Sequence, residues 1–314
     1  MKTSSVCILG GTGFVGRHLV NRLAAEGVRC RILTRRPHRH RHVGVARGST
    51  LVEANVHDRA ELVRQFAGQD AVINLVGILN EGGGENFRRV HYELPLSVLA
   101  ACQTAGVPRL LHMSALNADA QRGTSNYLKT KGAAEDYLHA NAGGVAVTSF
   151  RPSVIFGPDD SFFNRFAALL RIPGPFPLAC PKARFAPVYV GDVAEAFARA
   201  LDDPGTFDQR YDLCGPRVFT LRELVDYTVE AMGERKPILE LNDTLSRLQA
   251  KVLGVMPGRP FTMDNYRSMQ MDSVCERDGL GRLGITPTDV DAIIPFVLGQ
   301  RLPKQRLDSL RRTR

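Results

Sequence analysis

The feature that most constrains this chain is the run Gly10-Gly11-Thr12-Gly13-Phe14-Val15-Gly16, because of what flanks it. Ser5–Leu9 before it is a short apolar, strand-like segment. From Phe14 to about Glu26 the apolar spacing becomes helical. Glycines between a strand and a helix let the backbone turn tightly and lie close to a bound group. The helix start beyond them offers unpaired N–H groups and a partial positive charge, which suits a pyrophosphate. Gly10, Thr12, Gly13, Phe14, Val15 and Gly16 are therefore expected to form a phosphate cradle.

The same alternation continues. Val28–Thr34 and Thr50–Glu53 read as strands, and a helix begins after Asp58. Strand Asp70–Val76 is followed by a long helix over about Glu85–Ala105, irregular before Pro95. Strand Arg109–Ser114, helix Ser125–Asn141 and strand Val145–Arg151 complete the series. Strands alternating with amphipathic helices imply an α/β chain, here a Rossmann-type doubly wound parallel sheet whose ligands lie beyond the C-terminal strand ends. Residues 1–157 would form this domain, completed by about 186–214. Residues 158–185 and 215–314 would form a smaller C-terminal lobe for substrate or partner. Within it, residues 172–187 hold five prolines, too many for a helix or an inner strand, and read as a loop beside a pocket. Asp192–Leu201, Thr220–Met232 and segments near 243–254 and 288–298 look helical, and Gln209–Cys214 looks like a strand.

The net charge of +9 is local. Residues 35–47 hold five arginines and no acid, and residues 301–314 hold six basic residues against Asp308. The rest carries 30 basic and 31 acidic residues, so no general polyanion-binding surface and no nucleic-acid partner is expected. No stretch approaches the roughly 18 apolar residues of a membrane span. The opening MKTSSVCILG lacks a secretory signal, which points to the cytoplasm. The six cysteines form no C-x-x-C pair and are expected to be buried reduced thiols.

The second strand ends Leu33-Thr34-Arg35-Arg36 with no acid following it. A carboxylate there would accept from an adenosine ribose 2′-hydroxyl, whereas a guanidinium suits a 2′-phosphate. Thr34, Arg35 and Arg36 thus favour NADP(H), with NAD(H) as the alternative. His38, His40 and His42 adjoin no acidic or cysteine partner, so no metal is expected.

Tyr127 and Lys131, four apart on a helix, share one face. A phenol with a pKa of about 10 is a poor acid or base near neutrality. A neighbouring ammonium stabilises the phenolate and lowers that value. Ser114, at the preceding strand end, could hold a carbonyl or alcohol. Alone, this spacing is common on helix surfaces. Together with the glycine turn and Arg151-Pro152-Ser153-Val154-Ile155-Phe156-Gly157-Pro158, it resembles the extended and atypical short-chain dehydrogenase/reductases, the NAD-dependent epimerase/dehydratase-like group. Pro187–Ala194 is similar to a later strand-to-helix element of that family, with Asp192 as the helix cap. Ile73–Gly77, His112–Ala118 and Cys214-Gly215-Pro216 further resemble the branch of the NADPH-binding accessory subunit of respiratory complex I and its bacterial relatives.

That resemblance implies NADPH binding. Leu75, Val76 and Gly77 would line the adenosine side, and Asn55 and Val56 would flank adenine, leaving Asp58 to cap its helix. Pro152, Ser153, Val154 and Ile155 would line the nicotinamide side. It also implies a Ser114/Tyr127/Lys131 catalytic set, with Lys131 on the ribose. His91 stands where extended members usually carry a relay asparagine. It could act as a relay, since imidazole donates and accepts, or mark a site without turnover. The leading expectation is an NADP(H)-dependent oxidoreductase acting on a carbonyl or alcohol. The alternative is a non-catalytic NADPH-binding accessory or sensor protein. A nucleotide-sugar epimerase or dehydratase ranks third, because Ala115, Leu116 and Asn117 replace an acidic pair after the serine. Phe162, Phe163, Ile172, Phe176 and Leu178 suggest either an apolar substrate or a seam between lobes. The basic tail Arg301–Arg314, with only Leu302, Leu307 and Leu310 as an apolar stripe, is expected to meet an acidic protein or the inner membrane face. A monomer or a homodimer is expected.

Overall fold

The computed structural model describes residues 2–299, and the basic tail expectation lies outside them. The order of elements follows the alternation in the sequence. β1 (Ser5–Leu9), α1 (Phe14–Ala25), β2 (Arg29–Thr34), β3 (Ser49–Glu53), α2 (Arg59–Phe66) and β4 (Ala71–Asn74) make the first half. α3 (Leu94–Ala105), β5 (Arg109–Met113), α4 (Asn126–Ala140) and β6 (Ala146–Pro152) make the second. A later strand, β11 (Arg210–Leu213), joins beside β6. The result is one seven-stranded parallel sheet in the order β3-β2-β1-β4-β5-β6-β11. The order reverses between β1 and β4, and there the sheet opens a crevice at its C-terminal edge.

Both faces of this sheet are covered, which is why its strands are almost continuously apolar. One face packs Ile8, Ile73 and Phe150 against Leu19 and Leu23 of α1 and Phe197 of α6 (Val190–Asp202). The other packs Leu9, Val72 and Val147 against Leu62 and Phe66 of α2 and Leu99 of α3. Both clusters are almost wholly withdrawn from water.

Outside the central sheet, the chain after β6 adds β7 (Ile155–Phe156), α5 (Phe163–Leu170), β8 (Phe176–Leu178), β9 (Arg184–Phe185) and β10 (Val188–Tyr189). After β11 come β12 (Phe219–Thr220), α7 (Leu221–Ala231), β13 (Ile238–Glu240), α8 (Asp243–Val255), α9 (Met263–Ser268), α10 (Gly279–Arg282) and α11 (Ile294–Leu298). Among the described residues no helix is long and apolar enough to cross a membrane.

Four expectations are corrected. The helix before β5 starts slightly later than Glu85, because Gly82 and Glu85 close a tight turn, while the irregularity expected before Pro95 is present as π-helix over Arg88–Glu93. The proline-rich 172–187 stretch is not all loop, because short two-stranded pairings place β8 beside β13 and β9 beside β12. Cys214 and Cys275 are joined in a disulfide, so the expectation of buried thiols holds for Cys7, Cys30 and Cys102, while Cys180 is free but only half-buried. The partner cysteine is 61 residues away in an irregular segment, which spacing rules do not detect.

Asp192 does not cap its helix. α6 begins at Val190 with Tyr189 at the N-cap and no side-chain cap. The Asp192 carboxylate instead accepts from the Thr288 backbone N–H at 2.6 Å and its hydroxyl at 2.9 Å. It ties the segment before α11 to the sheet-covering helix. Replacing it with Ala strands two polar groups of Thr288, so D192A should lose about 1–3 kcal/mol of stability in urea unfolding, and D192N less. An unchanged D192A midpoint would contradict this role.

Candidate cofactor and active site

The turn after β1 requires glycine at two close approaches. Gly10 has φ +79°, and a Cβ there would lie 3.0 Å from the Leu75 carbonyl carbon after β4. A Cβ on Gly16 would lie 2.3 Å from the Gly10 carbonyl oxygen, so α1 can seat on the turn only if that residue is glycine. α1 starts at Phe14 with Gly13 at the N-cap and no side chain closing its end. Its first N–H groups are therefore open to an anion, as a pyrophosphate requires. Thr12, Phe14 and Val15 are half-buried around this opening, and Gly13 is exposed.

Among the residues expected on the adenosine side, Thr34 is buried at the end of β2, and Arg35 and Arg36 project into solvent. The structure adds an acid that the local sequence lacks. Glu85, from the loop before the π-helix, lies 3.3 Å from Arg35 Nη1 and 3.5 Å from His57 Nε2. One Glu85 oxygen is buried without a hydrogen bond. Arg36 makes no side-chain hydrogen bond or ion pair among the described residues and is the freer cation. Asn55 is exposed and accepts from the His57 N–H, while Val56 packs into the α2–α3 core. Asp58 caps α2 as expected, accepting from the N–H groups of Ala60 and Glu61.

The central wall is formed by the chain after β4. Leu75 and Val76 are half-buried, and the Val76 N–H is held by Asn74 Oδ1 at 3.2 Å. The Cβ position of Gly77 lies 3.4 Å from Lys131 Nζ and 3.6 Å from His91 Nε2, so this loop passes directly over both groups.

Lys131 is buried and donates to the Met113 carbonyl at 2.8 Å, next to Ser114. Burial pushes its ammonium down to about 8, partly offset by Glu135. Ser114 is buried at the end of β5, and its hydroxyl has no hydrogen-bond partner. Tyr127 sits one turn before Lys131, and burial pushes its phenol up to about 12. Its ring meets Phe87 and His91 edge-on, with centroids 5.9 and 5.1 Å away.

His91 is fully buried and stacked on Phe87. Its Nε2 accepts the Ile78 N–H at 3.0 Å, which puts the ring proton on Nδ1, 3.5 Å from Thr130 Oγ1. Burial, then Lys131 and His112, push its pKa down to about 2. His112, hidden in β5, lies 3.4 Å from Asn74 Nδ2 and acts as a strand-packing residue.

Of the residues expected on the nicotinamide side, Pro152 and Ser153 are buried and Val154 and Ile155 half-buried. The Ser153 hydroxyl is already committed, donating to the Ser273 carbonyl at 2.7 Å. Its contribution to a ligand would come from the backbone.

Two important groups were invisible in the local sequence. Asp264, at the start of α9, accepts from the N–H groups of Asn126 and Tyr127 at 2.7 and 3.1 Å and closes the start of α4. Glu135, fully buried on α4, accepts from Arg151 of β6 and Arg210 of β11. Phe162, Phe163, Phe176 and Leu178 pack into the lobe's small cores with α5, α7 and β13, and Ile172 points to solvent. The four buried or half-buried residues fill cores within the C-terminal part of the chain.

The NAD dependent epimerase/dehydratase family model matches residues 6–214. The chain belongs to that family. It is 30% identical over 302 residues to the mitochondrial NADH dehydrogenase [ubiquinone] 1 alpha subcomplex subunit 9 of Mus musculus, covering 90% of this chain and 77% of that one. It is 30% identical over 247 residues to a ceramide reductase of Caulobacter vibrioides, covering 76% and 74%. Both agree with the branch that the motifs resemble. Among solved structures, the NADPH-dependent quinone oxidoreductase QOR2 of Escherichia coli, complexed with NADPH, aligns with a TM-score of 0.73 at 20% identity. That alignment covers 94% of this chain and 98% of that one, and shows the shared fold.

The buried histidine sets an acid limit. An unfolded histidine titrates near 6.5 and His91 far below it, so its contribution to stability is present above about 6.5 and lost as pH falls towards 2. Thermal midpoints should drop below pH 6.5, and more gently in His91→Gln, which keeps an acceptor for Ile78. Identical acid dependence in both proteins would contradict the assignment.

Proposed function

We propose that the protein is an NADP(H)-dependent reductase acting on a carbonyl group. The observation that carries this reading is the buried Ser114 hydroxyl. It has no partner of its own and adjoins the carbonyl that holds Lys131. A buried hydroxyl without a partner costs free energy unless a ligand supplies one.

The cofactor would rest its pyrophosphate on the open end of α1 and supply a hydride. Tyr127 keeps its proton at neutral pH because burial holds its pKa high, so it suits donation to an oxygen that gains negative charge as a carbonyl is reduced. Lys131, largely cationic below about pH 8, would bind the ribose and favour that developing charge. Ser114 would hold the carbonyl oxygen in line. Arg36, with Arg35, would meet the 2′-phosphate, and Glu85 is the competing acceptor for a 2′-hydroxyl. The name of the Caulobacter vibrioides relative supports reduction as the class of chemistry.

A second reading is supported by His91. Because its Nε2 is engaged by the Ile78 N–H, the imidazole is fixed as part of the wall. This arrangement suits a protein that holds NADPH without turning it over, as an accessory or sensor subunit would.

Calorimetry should show NADPH binding at least about tenfold tighter than NADH, a difference of about 1.4 kcal/mol. Arg36→Ala should remove most of that margin by weakening NADPH alone. Equal affinities in the native protein would overturn the NADP(H) assignment. NADPH oxidation against a panel of alkyl ketones, aldehydes and quinones should then reveal turnover. Tyr127→Phe should lower kcat by about 10²–10⁴ with little change in NADPH affinity. The native rate should fall as pH rises through about 8, where Lys131 loses its charge. Tight NADPH binding with no turnover on any carbonyl would favour the second reading.

A further inference from the structure

We propose that α8 docks the protein on an anionic membrane surface. α8 is anchored by one face only. Ser246 and Ala250 are buried, and Asn242 caps its first turn. On the opposite side Leu245, Leu248, Val252, Val255 and Met256 are between 46% and 87% exposed. At 100° per residue these five positions fall within about a 100° arc, a continuous apolar stripe turned away from the protein. Thirteen helical residues extend about 20 Å, enough to lie along a bilayer interface.

The charge beside the stripe selects the partner. Residues 244–260 contain Arg247, Lys251 and Arg259 and no acid. Asp243 neutralises Arg247 at 3.0 Å. Lys251 forms no ion pair among the described residues, and Arg259 bonds the Glu81 backbone carbonyl, so neither is paired with a carboxylate there. An outward apolar stripe edged by uncompensated cations matches anionic headgroups over acyl chains. It is a poor match for a basic or neutral protein groove.

The stripe is also coupled to the cofactor crevice. The segment leaving α8 and the α9 helix that follows hydrogen-bond the loop after β4, through Arg259 to the Glu81 carbonyl, Asn80 to the Arg259 carbonyl, and Asn265 of α9 to the Leu79 carbonyl. The same loop carries Gly77 over Lys131. Docking would therefore hold this edge of the crevice against the bilayer.

The test is co-sedimentation of the full chain with mixed phosphatidylglycerol–phosphatidylcholine vesicles and with phosphatidylcholine alone. The native protein should prefer the anionic vesicles. Leu248→Ser/Val252→Ser leaves every charge in place and should lower vesicle affinity about tenfold or more. Both residues are exposed, so its thermal midpoint should be unchanged. Lys251→Gln should weaken binding about fivefold. Unaltered affinity in the double serine variant would overturn the proposal, as would a native protein that ignores anionic vesicles. Sedimentation velocity in the absence of lipid gives a further check. A native dimer that the double variant abolishes would assign the stripe to a second copy of this chain and would also overturn it.

Discussion

The site depends on one buried ionic contact. Glu135 is fully withdrawn from water, and its carboxylate is satisfied by Arg151 from β6 and Arg210 from β11. A carboxylate in that position is tolerable only because two guanidinium groups meet it, and removal of one of them would cost about 3–5 kcal/mol. What this contact fixes is the rotation of α4. Residues 127, 131 and 135 follow one another at helical spacing, so pinning Glu135 to the sheet directs Lys131 at the Met113 carbonyl and Tyr127 at His91. At the other end of the helix, Asp264 accepts from its first N–H groups and prevents it from sliding.

With α4 held, the opposite wall follows from a second close approach. The β1–α1 turn presses on the chain leaving β4, and that chain runs over Lys131 and His91. Glycine turn, lysine and strand-end serine thus lie together, because each sits at the C-terminal edge of the same parallel sheet. A ligand long enough to reach from the open end of α1 to Ser114 would touch elements from both halves of the sheet.

Much of this was legible in the residues. The glycine run, the alternating strands and the order Ser114, Tyr127, Lys131 are local signals, and local signals report the backbone conformation of the segments that carry them. The doubly wound parallel sheet and the places of the glycine turn and α4 within it followed. What was not legible depended on contacts distant in sequence. Glu85 reaches Arg35 from 50 residues away, and Asp264 reaches Tyr127 from 137. Asp192 has every local feature of a helix cap, yet its carboxylate is drawn to Thr288, 96 residues on. Cys214 and Cys275 show no diagnostic spacing. The phenylalanines of 162–176 were ambiguous because a pocket wall and a seam have the same composition, and only packing partners separate them.

The most direct test is a crystal structure of the protein grown with NADPH. NADPH-dependent reduction in this crevice requires the pyrophosphate on the N–H groups at the start of α1 and the 2′-phosphate beside Arg36. It also requires the nicotinamide between Tyr127 and the Pro152–Ile155 backbone, with the ribose within hydrogen-bond reach of Lys131. A nicotinamide turned away from Tyr127, or a pyrophosphate bound elsewhere than the glycine turn, would contradict it.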